Sequence, residues 1–360
     1  MKFISKQLNK ACYAIFVVLG LGCLASSCKK PTQQKNINPP FEHPQEVISL
    51  ILSGDDNTHK LLDLNTPLPR LQELVIKDCS ANFPLQQVLI KLAQLCPNLR
   101  KLNLSGNQLT TLPAEISTLS NLQELDLARN NLIDLPEAID QLANLQNLNL
   151  SFNQLTTLPK EISGLTNLQW LNLARNKFTN LPEAIGQLTN LQNLNLSTIG
   201  LTELPAWIGN LTNLQVLSLS NNKLTKLSAA IGLLTKLQRL SLSDNELTTL
   251  PKKIGQLSNL QELGLVRNKL RELPEAISNL TNLQVLYLSG NQLTTLPPWI
   301  SRFTELQRIY LNGNQLTMLP EAIVQLTKLQ TLDLRENQLN STTQELLTEL
   351  RARGIQVIDN

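Results

Sequence analysis

Leu145 to Asn167 reads LQNLNLSFNQLTTLPKEISGLTN, and the next twenty-three residues, Leu168 to Asn190, return it as LQWLNLARNKFTNLPEAIGQLTN. The same spacing runs unbroken from Leu99 to Lys328, ten units of equal length, and an eleventh starts at Leu329 and stops after Leu339. A fixed period of this size is the mark of a solenoid, in which each unit packs only on its neighbours. The start of the unit, L-x-x-L-x-L-x-x-N-x-L, reads as a short strand between apolar anchors. In Leu148-Asn149-Leu150 the leucines point one way and Asn149 the other, because strand side chains alternate. Stacked units then set these strands side by side as a parallel sheet. The second half, L-P-x-x-I-x-x-L, returns the chain on the outer face. Pro113, Pro136, Pro159 and their equivalents oppose a long helix there, and its Leu and Ile complete the core.

The ninth position is Asn in almost every unit, from Asn107, Asn130, Asn153 and Asn176 to Asn222 and on to Asn337. A buried amide must be hydrogen-bonded. Here it can bond backbone groups of its own turn and the next, forming a ladder along the solenoid. Three departures stand out: Ile199 at the ladder position, Ser228 at the proline position and Phe303 at a leucine position. Ile199 is followed by Gly200; the alternatives are a local bend and drift that neighbouring units tolerate.

This pattern resembles the leucine-rich repeat family, with strict repeats over about two thirds of the chain. The twenty-three-residue L-P-x-x-I-x-x-L form is similar to that of plant disease-resistance-type and Ras-pathway scaffold proteins, and bacterial members share it. The resemblance implies an α/β solenoid: a right-handed leucine-rich repeat horseshoe with a concave parallel β-sheet and a mostly irregular or short-helical convex side. It also implies that the concave face binds other proteins. The family is a scaffold with many uses, so fold alone does not set function.

At 360 residues the chain could hold two ordinary domains, but one solenoid accounts for it better. The formal net charge is +3. Residues 1–27 carry Lys2, Lys6 and Lys10 and no acid, so without them the charge is zero. A neutral chain argues against general nucleic-acid binding, which needs a basic surface.

The N-terminus is basic from Met1 to Lys10, apolar from Ala11 to Leu24, and small at Ala25-Ser26-Ser27 before Cys28. That order is a secretory signal peptide. The apolar run is short for a membrane-spanning helix, which needs about 20 residues. An ending at a cysteine after small residues resembles a bacterial lipoprotein signal. The resemblance implies that Cys28 becomes the first mature residue and carries the lipid; Cys23, after Gly20-Leu21-Gly22, is the alternative. Ordinary cleavage and an uncleaved anchor are the other options. Pro31 to Pro44 is polar and proline-bearing and reads as a flexible tether.

The expected organisation is a signal peptide at 1–27, a tether at 28–44, an N-terminal cap with an irregular first repeat at 45–98, leucine-rich repeats at 99–339 and a C-terminal cap at 340–360. In the first cap, Gln45 to Leu52 is expected as a short amphipathic helix and Leu61 to Leu64 as a short strand. Leu71 to Asn98 is a longer unit of twenty-eight residues, with Cys79 at the ladder position and a helical return from Leu85 to Leu95. It resembles the cysteine-containing leucine-rich repeats, which implies structural roles for Cys79 and Cys96. Spacing alone leaves open whether they pair. At the other end Ser341 is the expected N-cap with Gln344 three residues on. Gly354 fits a helix stop, and Ile355 and Val357 alternate as a last edge strand.

Catalysis finds little support. No glycine-rich phosphate loop sits between a strand and a helix. The two histidines, His43 and His59, do not cluster with the cysteines at metal-ligand spacing. No catalytic, cofactor or metal residue is expected, and an attached ligase domain would need chain beyond the caps. Binding is the better case. Positions three, five, seven and eight of the unit face away from the core, and most are small and polar. Two groups interrupt that background. Trp170 and Phe152, with Arg129 and Arg175, make one patch; Tyr287 and Tyr310, with Val285, Arg239, Arg267 and Arg308, make the other. Tyr, Trp and Arg are enriched among interface hot spots, although cross-strand pairing could equally stabilise the sheet. Trp207 and Trp299 fall on the returning side.

The expectation is a monomeric, exported lipoprotein, anchored to a bacterial membrane in the periplasm or at the cell surface, that binds a protein partner. A cytosolic signalling scaffold and a carbohydrate or cell-wall binder are the alternatives.

Overall fold

The computed structural model describes residues 46–54, 61–63, 65–80 and 82–359. The signal peptide, the tether, Cys23, Cys28, His43 and His59 lie outside the described residues. Fourteen parallel strands form one open sheet in chain order, each bonded to its sequence neighbours. β1 is Ser49–Ser53 and β2 is Glu73–Lys77; β3 to β13 are three-residue strands, one per repeat, from Lys101–Asn103 to Thr331–Asp333; β14 is Gln356–Ile358. The register is constant, so Leu125, Leu148, Leu171 and Leu194 stand in one row.

The periodic leucines build the core. In the unit from Leu145, the side chains of Leu145, Leu148, Leu150, Leu155, Ile162 and Leu165 are all 0% exposed. Fully burying an aliphatic side chain is worth about 1.5–3 kcal/mol. Each stacked unit therefore adds a comparable increment, and no unit has a core of its own. The return segments are five-residue 3₁₀ helices such as Lys160–Gly164, each entered through an extended proline, here Pro159 with φ −62°. The following Leu165 amide donates to the Ile162 carbonyl at 3.1 Å and ends the segment. Where Ser228 replaces proline, its hydroxyl accepts from the Ala230 amide at 3.3 Å, so a cap replaces the ring. Phe303 is fully buried and meets Trp299 edge-on at 6.0 Å. Both Trp207 and Trp299 lie in these segments and are half-buried.

The ladder forms as expected, but each amide reaches back to the preceding unit rather than on to the next. Asn153 donates to the Leu150 carbonyl of its own unit at 3.0 Å and to Leu127 of the preceding one at 2.9 Å, and its oxygen accepts from the Leu132 amide at 3.0 Å. At Ile199 the chain solves the gap from the next unit. Asn222 accepts from both the Ile199 and Leu201 amides, at 3.2 and 3.0 Å. Cys79 behaves the same way: its amide donates to Asn107 at 2.8 Å. The strand of the Ile199 unit, Asn193–Asn195, pairs with both neighbouring strands in unbroken register, so the sheet runs on past this unit.

The caps need three corrections. Ser49–Ser53 is strand β1, not part of a helix, because Leu50 and Leu52 alternate inward and the segment pairs with β2 in register. Leu61 to Asp63 is helical rather than a strand. The last helix, Ser341–Ala352, is capped one residue earlier than expected. Asn340 accepts from the Thr343 amide at 3.0 Å and from its hydroxyl at 2.9 Å. Thr343 thus fills the role assigned to Gln344. The helical return Leu85–Leu95, the left-handed Gly354 and the edge strand β14 stand as expected. Cys79 and Cys96 are both buried, and no disulfide joins them.

Candidate functional site

The sheet face opposite the core starts from position five. Asn149 accepts from the Ser151 amide two residues on at 3.2 Å, and Asn103, Asp126, Asn172 and Asn195 do the same in their units. These side chains hold the strand end, so the polar row is structural in the N-terminal half. Asp126 carries a cost. Burial raises its pKa above the usual carboxylate range, only partly offset by bonds from the Ala128 amide and the Asn149 side chain. From Ser218 onward the row changes to Ser, Gly and Tyr before Asp333; Ser241 shares a hydrogen bond with Ser220 at 2.5 Å, and Asp333 returns to the self-bonded pattern by accepting from the Arg335 amide at 3.3 Å.

Just beyond the strands, position eight adopts the left-handed conformation in every unit. Its residues are Gly106, Arg129, Phe152, Arg175, Thr198, Asn221, Asp244, Arg267, Gly290, Gly313 and Glu336, with φ between 51° and 71°. Non-glycine residues there are strained by about 1–2 kcal/mol each. The three glycines at this position were the signal in the sequence. The turn sets a row of side chains along the rim of the sheet.

The rim brings together three of the predicted residues. The Phe152 ring is 41% exposed. The guanidinium carbons of Arg129 and Arg175 lie 4.9 and 4.8 Å from its centroid. Both distances are within cation–π range. Trp170 does not join them. It opens β6 (Trp170–Asn172), in register with Asn147 and Asn193, whereas Phe152 follows the far end of β5 (Asn147–Asn149). The first predicted patch is therefore two separate features at opposite ends of the strand row.

The second group is partly assembled. Tyr287 and Tyr310 pair in register between β11 (Val285–Tyr287) and β12 (Arg308–Tyr310), with rings parallel and centroids 5.0 Å apart. Arg308 is exposed one row away. Arg239 faces Glu262 at 3.8 Å and Arg267 faces Asp244 at 3.4 Å, so both are engaged in the structure. Val285 is not available for contact. It is 2% exposed, a short side chain in register between the longer Glu262 and Arg308.

Sequence reasoning also missed a second asparagine ladder at position twenty-three. Asn167 donates to the Ala143 carbonyl at 2.8 Å and Asn190 to Thr166 at 2.8 Å, repeating along the solenoid. Among the described residues no group of three or more His, Cys, Asp or Glu is placed to hold a metal ion, and no described helix is long and apolar enough to cross a membrane. Burial pushes the Cys96 thiol up to about 12, leaving it protonated at neutral pH.

A stacked parallel sheet with one strand per repeat and a residue-lined concave face defines a class of binding solenoid. A model of the leucine-rich repeat region matches residues 141–218, 185–269 and 252–358, and a leucine rich repeat model matches 97–155. The chain belongs to the leucine-rich repeat family, whose members are generally binding scaffolds. A leucine-rich repeat protein of Leptospira interrogans is 33% identical, with a TM-score of 0.53, over 90% of this chain and 100% of that one. An internalin from Listeria monocytogenes shares the fold at 23% identity and a TM-score of 0.72, over 89% of this chain and 88% of that one. The ectodomain of a membrane receptor kinase from Arabidopsis thaliana, solved in complex with Casparian strip integrity factor 2, is 29% identical, with a TM-score of 0.65. The match covers 88% of this chain and 42% of that one. No curated protein matches the chain.

Proposed function

We propose that this chain is a non-enzymatic protein-binding module that works through its concave face, held at a bacterial membrane by a lipid on Cys28. The observation that carries the reading is the set of aromatic and guanidinium groups on the face and rim, exposed at Arg129, Phe152, Arg175 and Arg308 and half-buried at Trp170, Tyr287 and Tyr310, where the core does not need them. Leucine fills the interior throughout. Phe152, Trp170, Tyr287 and Tyr310 add nothing to it, yet they are residue types enriched in binding hot spots. The complex of the Arabidopsis relative supports a ligand-binding use of such an ectodomain. The basic, apolar and small succession before Cys28 supports export and lipidation, and the tether would hold the solenoid clear of the bilayer. The neutral chain without residues 1–27 weighs against nucleic acid.

Two measurements test this. Intact mass of the N-terminus from a membrane-fractionated native culture should show an acylated Cys28. An unprocessed Met1 on soluble protein would move the module to the cytoplasm as a scaffold. A complex isolated from the same culture should weaken at least tenfold on Tyr287→Ala or Trp170→Ala. If both variants retain the complex, the concave assignment fails; a glycan ligand without any protein partner would replace it with carbohydrate recognition.

A further inference from the structure

Arg129, Phe152 and Arg175 sit at one position of three consecutive units, on the rim of the sheet. We propose that they form a docking site for an acidic segment of a protein partner, its carboxylates seated on the two guanidiniums and its backbone crossing the Phe152 edge. The inference deepens the protein-binding reading above and rests on it.

Charge argues first. Three other cations near the rim are engaged by acids: Arg267 by Asp244 at 3.4 Å, Lys269 by Glu246 at 2.7 Å, and Arg335 by Asp333 at 2.6 Å. Among the described residues no acid lies within ion-pair distance of Arg129 or Arg175. The neighbouring Lys177 adds a third positive charge, and its ammonium donates to the neutral Gln154 at 3.1 Å. In a chain that is nearly neutral overall, this is a local positive excess with an apolar centre.

Geometry argues second. Stacking on a ring uses the faces of the guanidiniums and leaves their N–H edges unspent, and those edges match a carboxylate in two-point fashion. The ring fixes both groups, so binding orders little that is not already ordered. Carboxylates on alternate residues of an extended peptide project to one side about 7 Å apart, a spacing that spans one ring flanked by two cations.

The test uses the full chain and two fluorescein-labelled peptides, Gly-Ser-Glu-Ser-Glu-Ser-Glu-Ser-Gly and its Glu→Gln counterpart, read by polarisation. The Glu peptide should bind at least tenfold tighter than the Gln peptide. Arg129→Gln and Arg175→Gln should each weaken it at least fivefold. Phe152→Gly should weaken it without lowering the melting temperature, since glycine fits that backbone. Equal binding of the two peptides, or indifference to both arginine variants, overturns the proposal. So does binding of heparin or phosphatidylglycerol vesicles through these arginines when the Glu peptide does not bind. A native protein complex that survives the Arg129→Gln/Arg175→Gln pair but is lost on Tyr287→Ala overturns this site alone. If no protein complex exists, the protein-binding reading itself falls.

Discussion

The carboxamide at position nine serves two units at once, because one amide carries both donors and an acceptor. Asn245 satisfies the Leu224 amide and the Leu219 and Leu242 carbonyls, all buried. Leaving a buried group unpaired costs about 1–3 kcal/mol. Asn245→Leu should therefore destabilise the chain by about 2–4 kcal/mol in urea unfolding. Asn222→Leu should cost more, because Asn222 also carries the Ile199 amide, which has no asparagine of its own. Equal losses would mean that the Ile199 contact is idle. Asp126 gives a pH-dependent expectation. Its folded pKa is raised by burial, so the native state holds the proton more tightly than the unfolded chain. Stability is greatest with Asp126 protonated and falls as pH rises through the folded value. Asp126→Asn, the residue already used at Asn103 and Asn149, should raise the melting temperature at pH 7. That gain should vanish below about pH 4, where the unfolded aspartate is also protonated. Much at this scale was legible: the ladder, the tyrosine pair and the guanidinium–phenyl cluster all follow from a strict period. The burial of Val285 was not, because it depends on the length of side chains in neighbouring strands. The ladder at Asn167 was not legible either, since an exposed asparagine reads as solvated.

Among the elements, the return segments approach one another most closely where glycine occupies position nineteen. A methyl group on Gly255 would press against the backbone carbonyl of Ala276, and one on Gly232 would meet the Lys253 carbonyl at 2.6 Å. A backbone cannot rotate away. Gly255→Ala should cost about 1–3 kcal/mol by overpacking, read as a drop in denaturation midpoint. Gly186→Ala meets the Trp207 side chain at 3.0 Å, which can give, and should cost less. The repeat elements were readable from sequence because each recurs with the same neighbours. The first cap was not: the apolar run around Leu50 is short, and helix and strand periods cannot be told apart over such a length. Pairing with β2 decides it, and that contact spans a segment outside the repeat.

At the scale of the whole molecule, the fourteen strands of the described residues form one extended face in chain order, and its rim carries the Arg129–Phe152–Arg175 cluster. Under the proposed reading, that face meets a protein partner. The most direct test places a photo-crosslinking benzoylphenylalanine at Tyr287, at Phe152 or at the exposed outer residue Leu233 in the native cell. Protein adducts should form from positions 287 and 152 and not from 233. Adducts from 233 alone, or the same adducts from all three, would contradict a concave protein-binding face.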